Sequence, residues 1–97
     1  MSDVINAAVE ALNAKLDGGG FDAGTAKFTI EGEGSVVIDA DGARAADEDT
    51  DVTLTADRET FEGILSGDTN STAAFMGGKL TVDGDMGLAM QLGSVLS

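Results

Sequence analysis

Apolar residues in the first part of the chain recur at spacings of three and four, the period of a helix with one apolar face. The apolar members of this stretch are Ile5, Ala8, Val9, Leu12 and Leu16. We predict a helix over residues 2–17, with Ser2 as its N-cap and Asp3 near the positive end of the helix dipole. The glycines at 18–20 end it, because glycine takes the left-handed conformation after a helix at little cost.

The pattern then changes to a period of two, in which apolar and polar residues alternate as they do in strands with one wet face. We predict strands at 26–31, 35–39, 43–46 and 51–55. The Asp-Ala-Asp-Gly sequence at 39–42 predicts a tight hairpin between the second and third strands, because Asp-Gly tolerates positive φ angles.

Helical spacing returns after the fourth strand. Asp57 is a suitable N-cap for a helix over residues 58–66, and a shorter helix is predicted at 72–76. Alternation at 79–83 predicts a fifth strand, and the apolar stretch at 86–96 predicts a final helix.

The order of these elements is helix, four strands, two helices, strand and helix, within one domain over residues 1–97. Strands joined by short turns pair as antiparallel neighbours, so we predict an α+β fold in which a five-stranded, mainly antiparallel sheet is covered by helices on one side. The fifth strand returns after two helices and joins the sheet either at an edge or beside the first hairpin.

Charge is distributed unevenly along the chain, whose net charge is −13 although 42% of its residues are apolar. Residues 1–68 hold 16 acids and 4 bases, a net of −12, whereas residues 69–97 hold 2 acids and 1 base, a net of −1. The acidity excludes nucleic acid and anionic membrane surfaces as electrostatic partners. No apolar stretch approaches the roughly 20 residues of a membrane span, and the N-terminus lacks the features of a secretory signal, so we expect no stable membrane insertion and a cytoplasmic location.

The composition leaves little chemistry for catalysis. The chain has no Cys and no His, so it lacks a thiolate nucleophile, the usual general base near neutral pH and the commonest transition-metal ligand. Its carboxylates lie mostly in predicted turns and its serines in no nucleophile motif. We therefore expect a protein that is not an enzyme and has no catalytic residues, metal or cofactor.

The acidic run at 47–51 is the best candidate for a cation site, because its spacing is similar to the start of a calcium loop. Position six of such a loop is Val52 in place of glycine, and position twelve is Arg58 in place of glutamate. Alignment on Gly42 instead places Val37 at the first ligand position. Weak ion binding by this loop is favoured over a specific calcium site.

The final helix is apolar nearly all round, and such a helix has to be covered on more than one side. An apolar ligand, a partner protein or a second copy could cover it. The methionines at 76, 86 and 90 suit a ligand cavity, because their unbranched side chains adapt to different shapes, but they equally suit an irregular core.

Four segments, taken in order, resemble the sterol carrier protein domain, the type-two non-specific lipid-transfer family. They are DVTLT at 51–55, FEGILSG at 61–67, AFMGGKLTVDGD at 74–85 and LAMQL at 88–92. The third segment, followed by an apolar helix, is the most specific.

The resemblance implies a hydrophobic tunnel between sheet and helices that takes fatty acids, fatty acyl-CoA, phospholipids or sterols. It implies a structural role for Lys79, with a contact to an acyl headgroup left open. Carried onto this sequence, the lipid-binding walls are Leu54, Phe61, Ile64, Leu65, Phe75, Met76, Leu80, Val82, Met86 and Met90.

The sequence departs from the eukaryotic members of the family at both ends. It ends without a peroxisomal Ser-Lys-Leu signal, so we expect a stand-alone, bacterial-type member. Its first helix is acidic, which disfavours docking on anionic membranes, and sterol as the ligand is not carried over. The alternative interpretation is a protein-protein interaction or dimerisation module, acting through the C-terminal helix with a second copy or a partner enzyme of lipid or lipid-quinone metabolism.

Overall fold

The computed structural model describes residues 3–16 and 19–96, except for the side chain of Leu96. Four helices and five strands follow the predicted order, with bounds within one or two residues of those predicted. The elements are α1 (Asp3–Lys15), β1 (Ala26–Ile30), β2 (Gly34–Asp39), β3 (Gly42–Ala45), β4 (Val52–Ala56), α2 (Arg58–Ser66), α3 (Ser71–Met76), β5 (Leu80–Gly84) and α4 (Met86–Leu96).

The ends of α2 show how local chemistry sets these bounds. Asp57 caps the helix, because its carboxylate accepts a hydrogen bond from the backbone N–H of Thr60 at 2.7 Å. Gly67 ends the helix in the left-handed conformation, with φ of 87°. The predicted N-cap Ser2 and the predicted end of the first helix at 17–18 lie outside the described residues.

The sheet has the strand order β3-β2-β1-β4-β5. Three of the four neighbouring pairs are antiparallel, and β1 and β4 run parallel. The prediction of a mainly antiparallel α+β fold is therefore confirmed. The fifth strand lies at an edge, paired with β4, so of the two predicted positions the edge is the correct one.

The helices lie on one face of the sheet, and the core fills the space between them. Along β1 and β4 every second side chain is buried, as alternation predicts. From the helix side the core is completed by α1 and by the aromatic ring of Phe61, whose centroid is 4.5 Å from that of Phe28. The opposite face of β1 and β4 carries Lys27 and threonines, which are half-buried.

Hydrogen bonds and ion pairs anchor the acidic connection between β3 and β4. Asp47 accepts a hydrogen bond from Lys27 Nζ at 2.8 Å, and Glu48 pairs with Arg44. Asp51 accepts from the backbone N–H of Thr25 at 3.1 Å. Within the described part of the chain no three acidic side chains are grouped so that they could hold a metal ion. These carboxylates therefore tie the connection to the sheet.

The final helix is buried on one side only. Leu88, Ala89 and Leu92 pack into the core, whereas Met86 and Met90 are exposed. The sequence predicts that a helix this apolar has to be covered on more than one side. In the structure the outer side of the helix is an uncovered apolar surface. The longest described helix has 13 residues, and none in residues 3–16 and 19–96 combines the length and hydropathy of a membrane span.

Candidate functional site

A groove of about 270 Å³ lies between the β4-β5 edge of the sheet and helices α3 and α4. We call it the apolar groove. Its lining residues are Leu54, Ser71, Thr72, Phe75, Met76, Leu80, Val82, Met86, Ala89 and Met90. It lies between the sheet and two of its covering helices, where the family resemblance implies a tunnel.

Strand pairing builds the floor of the groove. Leu54 of β4 is the register partner of Val82 of β5, and Leu80 lies two residues before Val82, on the same face. Leu54 and Leu80 are buried and Val82 is half-buried. Ala89 closes the floor from the side of α4, where its small side chain leaves room above the sheet.

Two capped helices form the walls. Asn70 caps α3, because its side-chain oxygen accepts from the backbone N–H groups of Thr72 at 2.9 Å and Ala73 at 3.2 Å. Asp85 caps α4, because its carboxylate accepts from the backbone N–H of Leu88 at 3.2 Å. The caps fix where each helix begins and therefore which of its side chains face the groove.

The mouth of the groove is formed by Phe75, Met76, Met86 and Met90, which are 40%, 81%, 44% and 68% exposed. These four are all the large hydrophobic side chains that are exposed in the described structure. Singly exposed apolar residues are common on proteins, whereas a group that converges on one concavity is the arrangement expected of a binding surface.

The polar side chains that line the groove are those of Ser71 and Thr72, at the start of α3. No charged side chain lines it within the described residues. The groove can therefore take up an apolar chain, and the two hydroxyls can donate to or accept from one polar group of a ligand. Among the described residues that line it, neither an acid nor a base accompanies these hydroxyls.

Of the ten residues predicted from the sequence as lipid-binding, seven line this one groove. They are Leu54, Phe75, Met76, Leu80, Val82, Met86 and Met90. The other three lining residues, Ser71, Thr72 and Ala89, are not among those predicted from the sequence. Ala89 could have been found, because it lies three residues after Met86 and so on the same face of the helix.

The other three predicted residues lie elsewhere. Phe61 and Ile64, 1% and 2% exposed, point from α2 into the core. Phe61 and Leu65 also line a second concavity of about 430 Å³ between α1 and α2, with Val4 and Ala11 on its opposite wall. Helical spacing identifies the apolar face of α2 but not which cavity that face borders.

Solved structures share this fold. A sterol carrier protein 2 from Aedes aegypti, determined in complex with the C16 fatty acid palmitate, superposes with a TM-score of 0.76 at 21% identity, over 100% of this chain and 97% of that chain. The ubiquinone synthesis protein UbiJ-SCP2 superposes with a TM-score of 0.65 at 16% identity, over 99% of this chain and 93% of that chain.

A curated relative is much longer than this chain. The peroxisomal multifunctional enzyme A of Dictyostelium discoideum is 38% identical over 65 residues, which are 67% of this chain but 14% of the enzyme.

The family model is matched over nearly the whole sequence. Because residues 6–97 match the model described as the SCP-2 sterol transfer family, and the fold agrees, the chain belongs to that family.

Proposed function

We propose that this protein binds and carries a long-chain lipid in the apolar groove, without catalysing a reaction. The convergence of seven predicted residues and four exposed apolar side chains on one concavity carries this proposal. The palmitate complex of the Aedes aegypti protein supports it, because that protein has the same fold.

The size of the groove favours one acyl chain over a two-chain phospholipid or a fused ring system. Its volume of about 270 Å³ lies just below the ~300–1,000 Å³ that is typical of pockets for drug-sized ligands. The chain of a fatty acid or the acyl part of a fatty acyl-CoA would lie in the groove and leave its polar end at the surface. Ser71 or Thr72 would then contact that polar end.

The length of the acyl chain gives a quantitative test. Each methylene that leaves water contributes about 0.8 kcal/mol, which is about a fourfold gain in affinity. In a competition assay with a fluorescent fatty acid, affinity should rise by up to this factor per methylene and then level off when the groove is full. Native mass spectrometry of the purified protein should also show co-purified lipid.

A groove-filling variant tests the location. Val82→Phe places a ring in the floor of the groove, on a strand where aromatic residues are favourable. We expect it to weaken fatty acid binding at least about tenfold without loss of the fold. The matched control is Thr53→Phe, on the paired strand but on the opposite face of the sheet. Equal binding by wild type and Val82→Phe would show that the lipid is not in this groove.

The second candidate is an interaction module, in which the exposed apolar mouth contacts another protein. The fold that this chain shares with UbiJ-SCP2, a ubiquinone synthesis protein, is compatible with this alternative. Leu92 is fully buried, so Leu92→Asp would unfold the protein and cannot test an interface. Met90→Asp is the appropriate variant, because Met90 is 68% exposed. A mass in light scattering that rises with concentration and falls back with Met90→Asp would favour this candidate.

A further inference from the structure

We infer that the mouth of the apolar groove docks on a lipid bilayer that carries no net charge. The mouth consists of Phe75, Met76, Met86 and Met90, which come from α3 and α4 and surround a single opening. The inference rests on the proposed function, because a bilayer is the source and the destination of a carried lipid.

The exposed parts of these side chains extend beyond the groove. Met76 and Met90 are 81% and 68% exposed, whereas the floor residues Leu54, Leu80 and Ala89 are 3%, 4% and 8% exposed. A lipid that rests on the floor would cover the inner sides of the methionines and leave their outer surface in water. Unbranched methionine and aromatic phenylalanine can enter the boundary between headgroups and acyl chains.

The charge of the protein determines which kind of bilayer surface it can approach. Residues 69–97, which contain the whole mouth, carry a net charge of −1 from Lys79, Asp83 and Asp85, whereas residues 1–68 carry −12. Polar side chains without charge lie beside the mouth, among them Ser71, Thr72 and Gln91. An anionic surface repels the protein as a whole, and a zwitterionic surface removes that cost while still covering the apolar mouth.

A second copy of the chain fits this surface less well. Each copy would bring a charge of −13, and such charges repel. The groove is lined by ten residues, whereas a standard protein interface uses about 20–30 residues on each side. The bilayer needs no matching shape and adapts to four protruding side chains.

Co-sedimentation with sucrose-loaded vesicles tests the inference. The wild-type protein should bind vesicles of phosphatidylcholine alone, with little dependence on salt, and bind more weakly when phosphatidylglycerol is added at low salt. Met76→Asp places a charge at the outermost side chain of the mouth, and we expect it to weaken binding at least about tenfold. The matched control is Asn6→Asp, which adds the same charge on the exposed side of α1, away from the groove, and should bind as the wild type does.

Binding that is unchanged by Met76→Asp, or that is stronger on phosphatidylglycerol, would overturn the inference. A second measurement uses Phe75→Trp, which introduces the sole tryptophan of the chain. Bromine-labelled acyl chains in the vesicles should quench its fluorescence, whereas the tryptophan of Thr53→Trp, on the face of the sheet opposite the helices, should not be quenched.

Fatty acid binding in solution, without vesicles, separates this inference from the proposed function. A protein that binds fatty acid but no phosphatidylcholine vesicle refutes the docking alone. A protein that binds vesicles but no fatty acid supports the docking and refutes the carrier function. Failure of both measurements overturns both proposals, and a mass that rises with concentration in place of vesicle binding identifies a second copy as the occupant.

Discussion

Replacement of Phe61 by alanine distinguishes the core from the groove. The phenyl ring is 1% exposed, and it packs edge-to-face on Phe28 with an interplanar angle of 61°. Truncation of a buried phenylalanine costs about 3–5 kcal/mol, of which an aromatic pair contributes roughly 0.5–1.5 kcal/mol. Because a domain of this size is stable by about 5–15 kcal/mol, Phe61→Ala removes a large part of the total.

The assay is thermal and urea unfolding followed by far-ultraviolet circular dichroism, since the chain has no Trp or Tyr to report by fluorescence. A loss of 3 kcal/mol lowers the melting temperature by at least about 12 °C in a domain of this size. Fatty acid affinity, measured where the protein is fully folded, should stay unchanged, because the ring of Phe61 does not line the groove. If Phe61→Ala does not fold, Phe61→Leu makes the same test with a smaller loss.

Phe75→Ala is the matched control, because the same change is made to a ring that is 40% exposed and lines the groove. We expect a loss of stability of about 1 kcal/mol or less together with a clear loss of fatty acid affinity. A large loss of stability in Phe75→Ala, together with unchanged fatty acid affinity, would refute this reasoning. If Phe61→Ala weakened fatty acid binding and left the stability unchanged, the original prediction that Phe61 contacts lipid would be correct.

Three further predictions concern charge and backbone. The hydrogen bond from the backbone N–H of Thr60 lowers the pKa of Asp57, so this cap stabilises the fold above the unfolded pKa of about 3.9, and its contribution is lost as the pH falls through the lowered value. Asp57→Asn should therefore flatten the acid side of a stability-pH curve, and an unchanged curve would contradict this. Because the chain has a net charge of −13, its acidic groups repel one another, and salt screens this repulsion. The melting temperature should therefore rise between about 0.1 and 1 M NaCl, where the screening length shortens from about 10 to 3 Å. A melting temperature that decreases would show that attractive charge pairs dominate. Gly84→Ala should destabilise the protein more than Gly32→Ala, although both glycines have positive φ. An added Cβ would lie 2.4 Å from the Asp51 carbonyl oxygen at Gly84, but it would meet nothing within 4 Å at Gly32. Equal unfolding midpoints of the two variants would contradict this prediction.

The sequence determined the elements and their order, because each depends on local spacing and capping. The helix over 58–66 follows from Asp57 at one end and from Gly67 at the other, and the structure gives the same bounds. The hairpin at 39–42 follows from Asp-Gly chemistry, and Asp39 pairs with Gly42 in the observed register. The family also follows from the sequence, because its motifs are local strings of residues.

The tertiary structure alone decided how these elements combine. The parallel pairing of β1 with β4 joins residues 26 positions apart, such as Phe28 and Leu54, and no local pattern specifies such a partner. The same pairing places β5 at the edge and thereby sets the position of the groove floor. Phe61 and Phe75 are equally apolar in the sequence, but one lies under α2 in the core and the other at an open mouth, because burial depends on what the rest of the chain packs against each helix face.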